Sequence, residues 1–231
     1  MIVSHEHKFI FLKTRKTAGT SLELAFRQLC GPHDIITTLP EEDALAAKTG
    51  ARGAQNWHVH SWWHSLRPLH KRRWLRQSPK DYGFHSHMSA KDARTLIKDE
   101  KTWRTYFKFA FERNPWDRQV SLYHFRIRHG ARLPSFADHI HHDKRARIKN
   151  FEIYSIDGEV CIDYLGRYES LEQDFRKVLN EVGLTYDQPL PRANAHSAPQ
   201  QGHYRDFYDD ATREIVRKWY MPEINLVGYG F

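Results

Sequence analysis

The sequence has few cysteines and no long apolar run. Cys30 and Cys161 are the only cysteines among 231 residues, and neither belongs to a CxxC or metal-type spacing. A disulfide framework is therefore excluded, and we expect both cysteines to be reduced. No apolar stretch approaches the roughly 18–20 residues that cross a bilayer, and Met1–His7 lack the apolar core of a secretory signal. The expected location is the cytoplasm, with association at the inner membrane surface left open.

The rest of the composition is that of a soluble globular protein. Hydrophobic residues make up 40% of the chain and charged residues 28%, and the length suits one sizeable core over residues 1–231. The net charge of +8 predicts a positive field that attracts nucleic acid, nucleotides or acidic glycans. The sixteen histidines include two clusters without a matching cysteine or carboxylate pattern, so no metal site is predicted. These clusters are His58/His60/His64 and His139/His141/His142.

One stretch near the N-terminus reads as a strand, a loop and a helix. Phe9–Leu12 form a nearly continuous apolar run, typical of a strand buried on both faces. Thr20 and Glu23 fit a capping box, so a helix is expected to begin at this loop. A helix N-terminus attracts anions through its dipole and its first N–H groups. The stretch therefore predicts a phosphate site, reinforced by Lys13, Arg15 and Lys16.

A second unit of the same kind follows about a hundred residues later. Tyr106–Glu112 predict a strand, and Pro115 begins a helix that is expected to reach about Arg128. Arg113 would then emerge at the carboxyl end of its strand, where open parallel sheets bind ligands. Ser121 lies on the same helix and can face the same crevice. Arg113 either binds a phosphate there or pairs with an acid, and the sequence leaves both open.

The remaining pattern alternates strands and helices. A strand is expected over Val160–Tyr168, a helix over Leu171–Val182 with a capping box at Ser170, and a last helix over Ala211–Tyr220, before Pro222. Ser89 is a plausible N-cap for a helix that begins at Lys91. This order predicts an α/β single domain with a mainly parallel central sheet flanked by helices.

Two further segments are rich in basic residues. Residues 57–80 mix tryptophan, histidine and arginine, which fits sugar stacking or single-stranded nucleic acid, or else tryptophans that pack on the core. Residues 126–149 are basic and histidine-rich, with a helix expected from Ser135. Both segments are interpreted as insertions that either line a ligand cleft or form ordinary surface.

Three parts of the chain together carry a family resemblance. Lys13–Ser21 resembles the 5′-phosphosulfate loop of sulfotransferases that use 3′-phosphoadenosine 5′-phosphosulfate (PAPS). Arg113–Tyr123 resembles their 3′-phosphate motif, in which an Arg and a Ser eight residues later hold that phosphate. Arg167–Phe175 and Tyr204–Phe231 are similar to the carbohydrate-type branch, especially its soluble bacterial members. The resemblance spans nearly the whole chain and implies a P-loop-NTPase-like sulfotransferase architecture.

The resemblance also implies the chemistry. The co-substrate would be PAPS and its product adenosine 3′,5′-bisphosphate (PAP), with no metal required. Lys16 would stabilise the leaving oxygen, and His87 would act as general base with His85 as its helper. The acceptor would be the hydroxyl of a glycan or glycolipid, and nucleic acid is not expected as a partner. The residues expected to bind the donor are Arg15, Thr17, Ala18, Gly19, Thr20, Ser21, Arg113, Ser121, Tyr168 and Asn194.

Other classes of function stay open at this point. A non-catalytic nucleotide- or nucleic-acid-binding protein fits the net charge, although RNA-binding signatures are absent. A nucleotide kinase fits less well, because Lys16 precedes Gly19 whereas the lysine of an NTPase P-loop follows the glycines. A lone histidine before a helix is usually structural, so His87 gains weight only from its place between the two phosphate motifs.

Overall fold

The computed structural model describes residues 1–38, 40–58, 83–191 and 202–231. The described strands are β1 (Ile2–Ser4), β2 (Phe9–Phe11), β3 (Ile35–Ile36), β4 (Phe107–Glu112), β5 (Ser155–Ile156), β6 (Glu159–Val160) and β7 (Tyr164–Arg167). A five-stranded sheet has the order β3-β1-β2-β4-β7, and β5 and β6 form a separate hairpin. Strands β2, β4 and β7 pair in parallel, while β1 is antiparallel to β2 and β3. Four of the five strands therefore run in one direction, which confirms a mixed α/β fold with a mainly parallel sheet.

The described helices are α1 (Gly19–Leu29), α2 (Pro40–Thr49), α3 (Ala90–Ile97), α4 (Glu100–Thr105), α5 (Pro115–Arg128), α6 (Phe136–His142), α7 (Phe151–Tyr154), α8 (Leu171–Glu181), α9 (Asp210–Trp219) and α10 (Met221–Val227). Two begin as their sequence predicts. The Ser89 side chain caps α3 by accepting from the Asp92 N–H, and Asn114 caps α5 ahead of Pro115. None of the described helices combines the length and apolar character needed to cross a bilayer.

The central sheet is covered on both faces. Side chains alternate along β2, so Phe9 and Phe11 pack toward α1 and α8, whereas Ile10 contributes to the cluster on the opposite face, which includes residues of α3 and α7. Gly166 of β7 lies against the Phe111 ring, and a Cβ atom there would be 2.6 Å from the ring carbon Cε1. This close approach accounts for a glycine in the interior of a strand.

A third cluster joins the second half of the chain to α5. Phe136, Ile140 and Ile148 pack with Trp116 and Tyr220, so much of the 126–149 segment lies against the body of the domain. Of the 57–80 segment, Trp57 and His58 are described, and the remainder lies outside the described residues. The two cysteines are free thiols.

Several sequence expectations about element boundaries are wrong. The expected strand over Val160–Tyr168 is split, because Val160 pairs with Ser155 in the hairpin and β7 begins only at Tyr164. Ser170 does not cap α8, since its hydroxyl donates to the Asp174 carboxylate at 2.8 Å. The helix expected to be the last one is followed by another, α10, which begins at Met221. Pro222 lies in the first turn of α10, where a backbone N–H has no helical partner, so its absence has no cost.

Candidate active site

The loop between β2 and α1 is bent sharply and fastened to the sheet. The Thr14 hydroxyl lies 2.8 Å from the Thr17 hydroxyl and donates to the Phe111 carbonyl of β4. Lys16 and Ala18 have positive φ angles of 65° and 58°, which are uncommon for residues other than glycine. Left-handed residues in a turn ahead of a helix N-terminus are typical of the backbone nests that bind anions. The loop thus has the form expected of a phosphate site.

The Lys13 side chain is turned inward, whereas the sequence predicts that it reinforces the anion site. The side chain is buried, and its Nζ atom is 2.8 Å from a carboxylate oxygen of Glu23. Burial opposes ionisation of Glu23, but Lys13 and Arg27 outweigh it and hold the pKa of this carboxyl below its usual value. Because Glu23 faces inward, the expected capping box with Thr20 is wrong, and Ala18 precedes α1 in a left-handed conformation. Gly19 lets the Lys13 side chain approach, since a Cβ atom there would lie 2.9 Å from Lys13 Cε.

Lys16 lies where positive charge accumulates. Its Nζ atom is 4.3 Å from the centre of the Phe125 ring, and its side chain is half-buried. Burial, followed by the charges of Arg113 and Arg128, lowers the pKa of Lys16 to about 8. An anion bound at this position would relieve the repulsion among the three cations, so the site fits a phosphate or a sulfuryl group.

Arg113 meets the loop from the end of β4. Its guanidinium makes two 2.8 Å hydrogen bonds to the Asp117 carboxylate, and its Nη1 atom is 3.4 Å from the carbonyl oxygen of Lys16. The same group lies 4.0 Å above the centre of the Tyr168 ring. Arg113 therefore pairs with an acid and also borders the phosphate loop. Two motifs that are 97 residues apart in sequence share one site.

Ser121 lies in the middle of one stripe of α5. Residues Asp117, Ser121, Phe125 and Arg128 are spaced by three or four positions, so they share a face of the helix. Asp117 binds Arg113 at one end of the stripe, and Phe125 contacts Lys16 further along. Ser121 is nearly buried between them.

The backbone behind Arg113 is held by two carboxylates. Glu112 is fully buried and accepts from the Arg113 N–H at 2.9 Å, from the Arg118 guanidinium and from the Tyr154 hydroxyl. Glu169 accepts from the Asn114 N–H at 2.7 Å. These contacts fix the direction in which the chain leaves β4.

His87 contacts the start of the phosphate loop. Its Nδ1 atom is 2.9 Å from the Lys13 carbonyl oxygen, and its backbone has a φ of 60°. A carbonyl only accepts, so this contact selects the tautomer with the proton on Nδ1 and a free electron pair on Nε2. Burial, followed by the charge of Lys13, lowers the His87 pKa to about 3, which keeps the ring neutral at pH 7. His85 is half-buried two residues earlier in the chain.

Four more of the expected donor-binding residues lie in the same loop or directly after it. Gly19, Thr20 and Ser21 form the first turn of α1. Arg15 has an exposed side chain, and its backbone is hydrogen-bonded to Asn150. Asn194 lies outside the described residues.

Sequence reasoning missed three residues that shape the site: Asp117, Phe125 and Asn150. The spacing of Asp117 from Arg113, four residues along a helix, is a usable signal for an ion pair. Phe125 follows Ser121 by the same interval, so the helical stripe also points to it. For Asn150 the local sequence has no signal, because its partner Arg15 is 135 residues away.

In the described part of the chain, no group of three or more His, Cys, Asp or Glu side chains is arranged to hold a metal ion. His139 is fully buried, with Nδ1 3.1 Å from an Asp143 oxygen and Nε2 3.3 Å from Gln119 Oε1. Burial, followed by the Arg126 charge, lowers the pKa of His139 to about 4. Of the other clustered histidines, His60 and His64 lie outside the described residues.

Comparison with known proteins identifies the family of the chain. Residues 1–230 match the model of the sulfotransferase family, so the chain belongs to that family of sulfuryl-transferring enzymes. A protein of Archaeoglobus fulgidus described as uncharacterized is 36% identical over 90 residues, which cover 37% of this chain and 74% of that protein. No solved structure matches the chain.

Proposed function

We propose that this protein transfers a sulfuryl group from PAPS to a hydroxyl of a carbohydrate or glycoconjugate. The observation that carries the proposal is the 3.4 Å approach of the Arg113 guanidinium to the Lys16 carbonyl, which joins two anion-binding motifs in one site. A donor with phosphates at both its 5′ and 3′ positions requires such a pair. Membership of the sulfotransferase family supports sulfuryl transfer in general.

The residues at the site fit this donor, because cationic groups cluster at a bent loop and at a strand end. PAPS would supply the sulfuryl group, with PAP as the leaving group. The hydroxyls of Thr17, Thr20 and Ser21 and the helix N-terminus would hold the 5′ end. Arg113 and Ser121 would hold the 3′-phosphate, with Tyr168 stacked on Arg113 and Asp117 orienting it.

Lys16 would neutralise the charge that develops on the leaving oxygen. By analogy with phosphoryl transfer, positioning and electrostatic stabilisation then account for most of the acceleration. A bound anion offsets the repulsion from Arg113 and Arg128 and raises the Lys16 pKa, so the ammonium form that this role requires predominates.

His87 would take the proton of the acceptor hydroxyl at Nε2. Its bond from Nδ1 to the Lys13 carbonyl holds the ring and leaves Nε2 as the acceptor. An anion at the neighbouring loop offsets the charges of Lys13 and Arg15, which raises the His87 pKa toward the range of an effective base.

The exposed charge beside the site supports an acidic acceptor. The side chains of Arg128, Arg132, Arg145 and Arg147 are exposed on the segment that follows Ser121. A surface of one sign raises the local concentration of an oppositely charged polymer. We therefore expect acidic glycans to be better acceptors than neutral ones.

Ligand binding and turnover test the proposal. Calorimetry is expected to show micromolar binding of PAP, with much weaker binding of ATP and of a single-stranded oligonucleotide. Label from the sulfuryl group of PAPS is expected in an acidic glycan from an acceptor panel. Preference for ATP with Mg²⁺, or for the oligonucleotide, would contradict the proposal and favour a kinase or a nucleic-acid-binding protein.

The variant His87→Asn tests the base. Asparagine tolerates a positive φ and carries an amide N–H that can replace the Nδ1 bond to the Lys13 carbonyl, but it has no equivalent of Nε2. Removal of a general base typically lowers kcat by roughly 100- to 10,000-fold. A near-normal kcat at saturating PAPS, with unchanged thermal stability, would rule His87 out as the base.

A further inference from the structure

We infer that Asn150 is a positioning residue that sets the conformation of the phosphate loop and couples it to the Arg113 motif. Asn150 is fully buried and lies at the start of α7, far from both motifs in sequence. The inference that Asn150 affects donor binding rests on the proposed function, whereas the inference that Asn150 fixes the loop conformation does not.

The Asn150 carboxamide pairs with the loop backbone on both sides of one residue. Its Oδ1 atom accepts from the Arg15 N–H at 2.9 Å, and its Nδ2 group donates to the Arg15 carbonyl at 3.0 Å. This reciprocal pair reproduces the exchange between two hydrogen-bonded residues of an antiparallel ladder. The next residue is Lys16, whose left-handed backbone begins immediately after the clamped peptide.

A third contact extends from Asn150 to the other motif. The Nδ2 group also lies 3.4 Å from Glu112 Oε1, and the same oxygen accepts from the Arg113 N–H at 2.9 Å. One buried amide and one buried carboxylate therefore connect the peptide before Lys16 with the peptide that begins the Arg113 motif.

The segment that carries Asn150 is itself firmly held. Buried Ala146, Ile148 and Asn150 alternate with exposed residues. Gln119 donates to the Ala146 carbonyl at 3.0 Å, and the Ile148 N–H donates to the Tyr220 hydroxyl at 3.0 Å. Asn150 therefore projects from a rigid support, so it can impose its geometry on the loop rather than follow it.

Loss of this side chain should loosen the loop more than the fold. The variant Asn150→Ala removes both bonds to Arg15 and the contact to Glu112. Two lost hydrogen bonds and a less ordered cationic site predict a PAP affinity that is roughly ten- to hundredfold lower. The matched control is Gln119→Ala, which removes a fully buried carboxamide of α5 that contacts the same segment at Ala146, but leaves the contacts to Arg15 and the Ile148–Tyr220 bond intact.

Two measurements on the full chain decide the inference. Hydrogen exchange without ligand is expected to be faster in the peptide covering residues 13–18 of Asn150→Ala, and unchanged there in Gln119→Ala. Calorimetry with PAP is expected to show the larger affinity loss for Asn150→Ala at a comparable change in Tm. If the alanine variant fails to fold, Asn150→Ser takes its place, because it keeps a small polar side chain that cannot bond to both the N–H and the carbonyl of Arg15.

Each outcome has a distinct meaning. Equal hydrogen-exchange rates for residues 13–18 in the Asn150 and Gln119 variants would show that Asn150 does not fix the conformation of the loop. If hydrogen exchange of the loop is faster in Asn150→Ala but both variants bind PAP equally well, Asn150 does not position the loop for donor binding. Wild-type protein that does not bind PAP would contradict the proposed function, while the exchange comparison would still decide whether Asn150 holds the loop.

Discussion

The two strand–loop–helix units at the site share a plan but are stabilised differently. The second unit follows local rules: Asn114 caps its helix, Pro115 occupies the first turn, and Arg113 pairs with Asp117 one turn later. In the first unit the loop is bound by distant residues, Phe111 and Asn150, and the acid of its helix is buried.

This difference separates what a short sequence window can specify from what only tertiary structure can. A cap and an i,i+4 ion pair form within one segment, so the second unit is pre-organised by its own residues. Left-handed residues other than glycine persist only when their surroundings hold them. The first unit therefore depends on the completed fold, and its loop is the more sensitive to remote substitutions.

The largest expected effect is a difference in unfolding free energy between variants of Glu23, in the first unit, and of Asp117, in the second. In Glu23→Gln, the buried cations Lys13 and Arg27 lose their shared carboxylate, which predicts a loss of about 3–5 kcal/mol in the free energy of unfolding. In Asp117→Asn, the pair is partly exposed, and the expected loss is below about 1 kcal/mol. Denaturant unfolding measures both. Equal losses would show that burial does not distinguish the two units.

The next effect concerns catalysis by the first unit. Lys16→Ala is expected to lower kcat by roughly 100- to 1000-fold, because under the proposed function Lys16 stabilises a charge that develops in the transition state. PAPS affinity should change much less, which binding under non-turnover conditions measures. If Lys16→Ala binds PAPS more weakly but keeps its kcat, Lys16 binds the donor and does not stabilise the transition state.

Arg113 of the second unit is expected to contribute to donor binding. Arg113→Ala should weaken PAP binding by roughly ten- to hundredfold, the usual range for a lost hydrogen bond to a charged group. Adenosine 5′-phosphosulfate, which lacks the 3′-phosphate, serves as the control ligand and should lose far less affinity. A similar loss for both ligands in calorimetry would place Arg113 elsewhere on the donor.

A pH profile sharpens the role of Lys16. Its pKa of about 8 in the free protein predicts that kcat/KM falls above pH 8, approaching tenfold per pH unit as the ammonium loses its proton. In Lys16→Arg this fall should disappear from the range up to pH 10, because a guanidinium stays protonated there. The two profiles measured in parallel separate Lys16 from other groups that titrate at high pH.

The smallest effect tests the local stability of the second unit. Asn114→Ala removes a side-chain cap and a 2.8 Å bond to the Gly230 carbonyl, and is expected to cost about 1–2 kcal/mol of unfolding free energy. Ala18→Gly at the matching position of the first unit removes no cap bond and relieves a positive φ, so Tm should stay level or rise. Thermal unfolding of the two variants measures this difference. A lower Tm for Ala18→Gly than for the wild type would contradict the prediction.

The sequence was sufficient for elements whose signals are local. Apolar runs predicted β2 and β4, and Pro115 predicted the start of α5. Strand β1 was not predicted, because Ile2–Ser4 are short and are specified by pairing on both sides. Glu23 was assigned to a capping box because its spacing fits one, yet the buried cations around it compete more strongly for its carboxylate.

The same contrast holds for the site. Motif spacing placed Lys16 and Arg113 in one location, and the structure brings these residues together. It also brings His87 to the loop that precedes Lys16. Asn150 and the inward orientation of Lys13 depend on partners that the local sequence does not reveal.

The contact between Gly166 and the Phe111 ring has a consequence for laboratory evolution. Any side chain at position 166 must displace the ring or push β7 away from β4, and Arg167 and Tyr168 follow directly along the chain. Such a shift would move the Tyr168 ring away from Arg113 without altering a residue of either phosphate motif. Libraries intended to change acceptor preference should therefore leave position 166 invariant and concentrate diversity on the exposed arginines between residues 126 and 149.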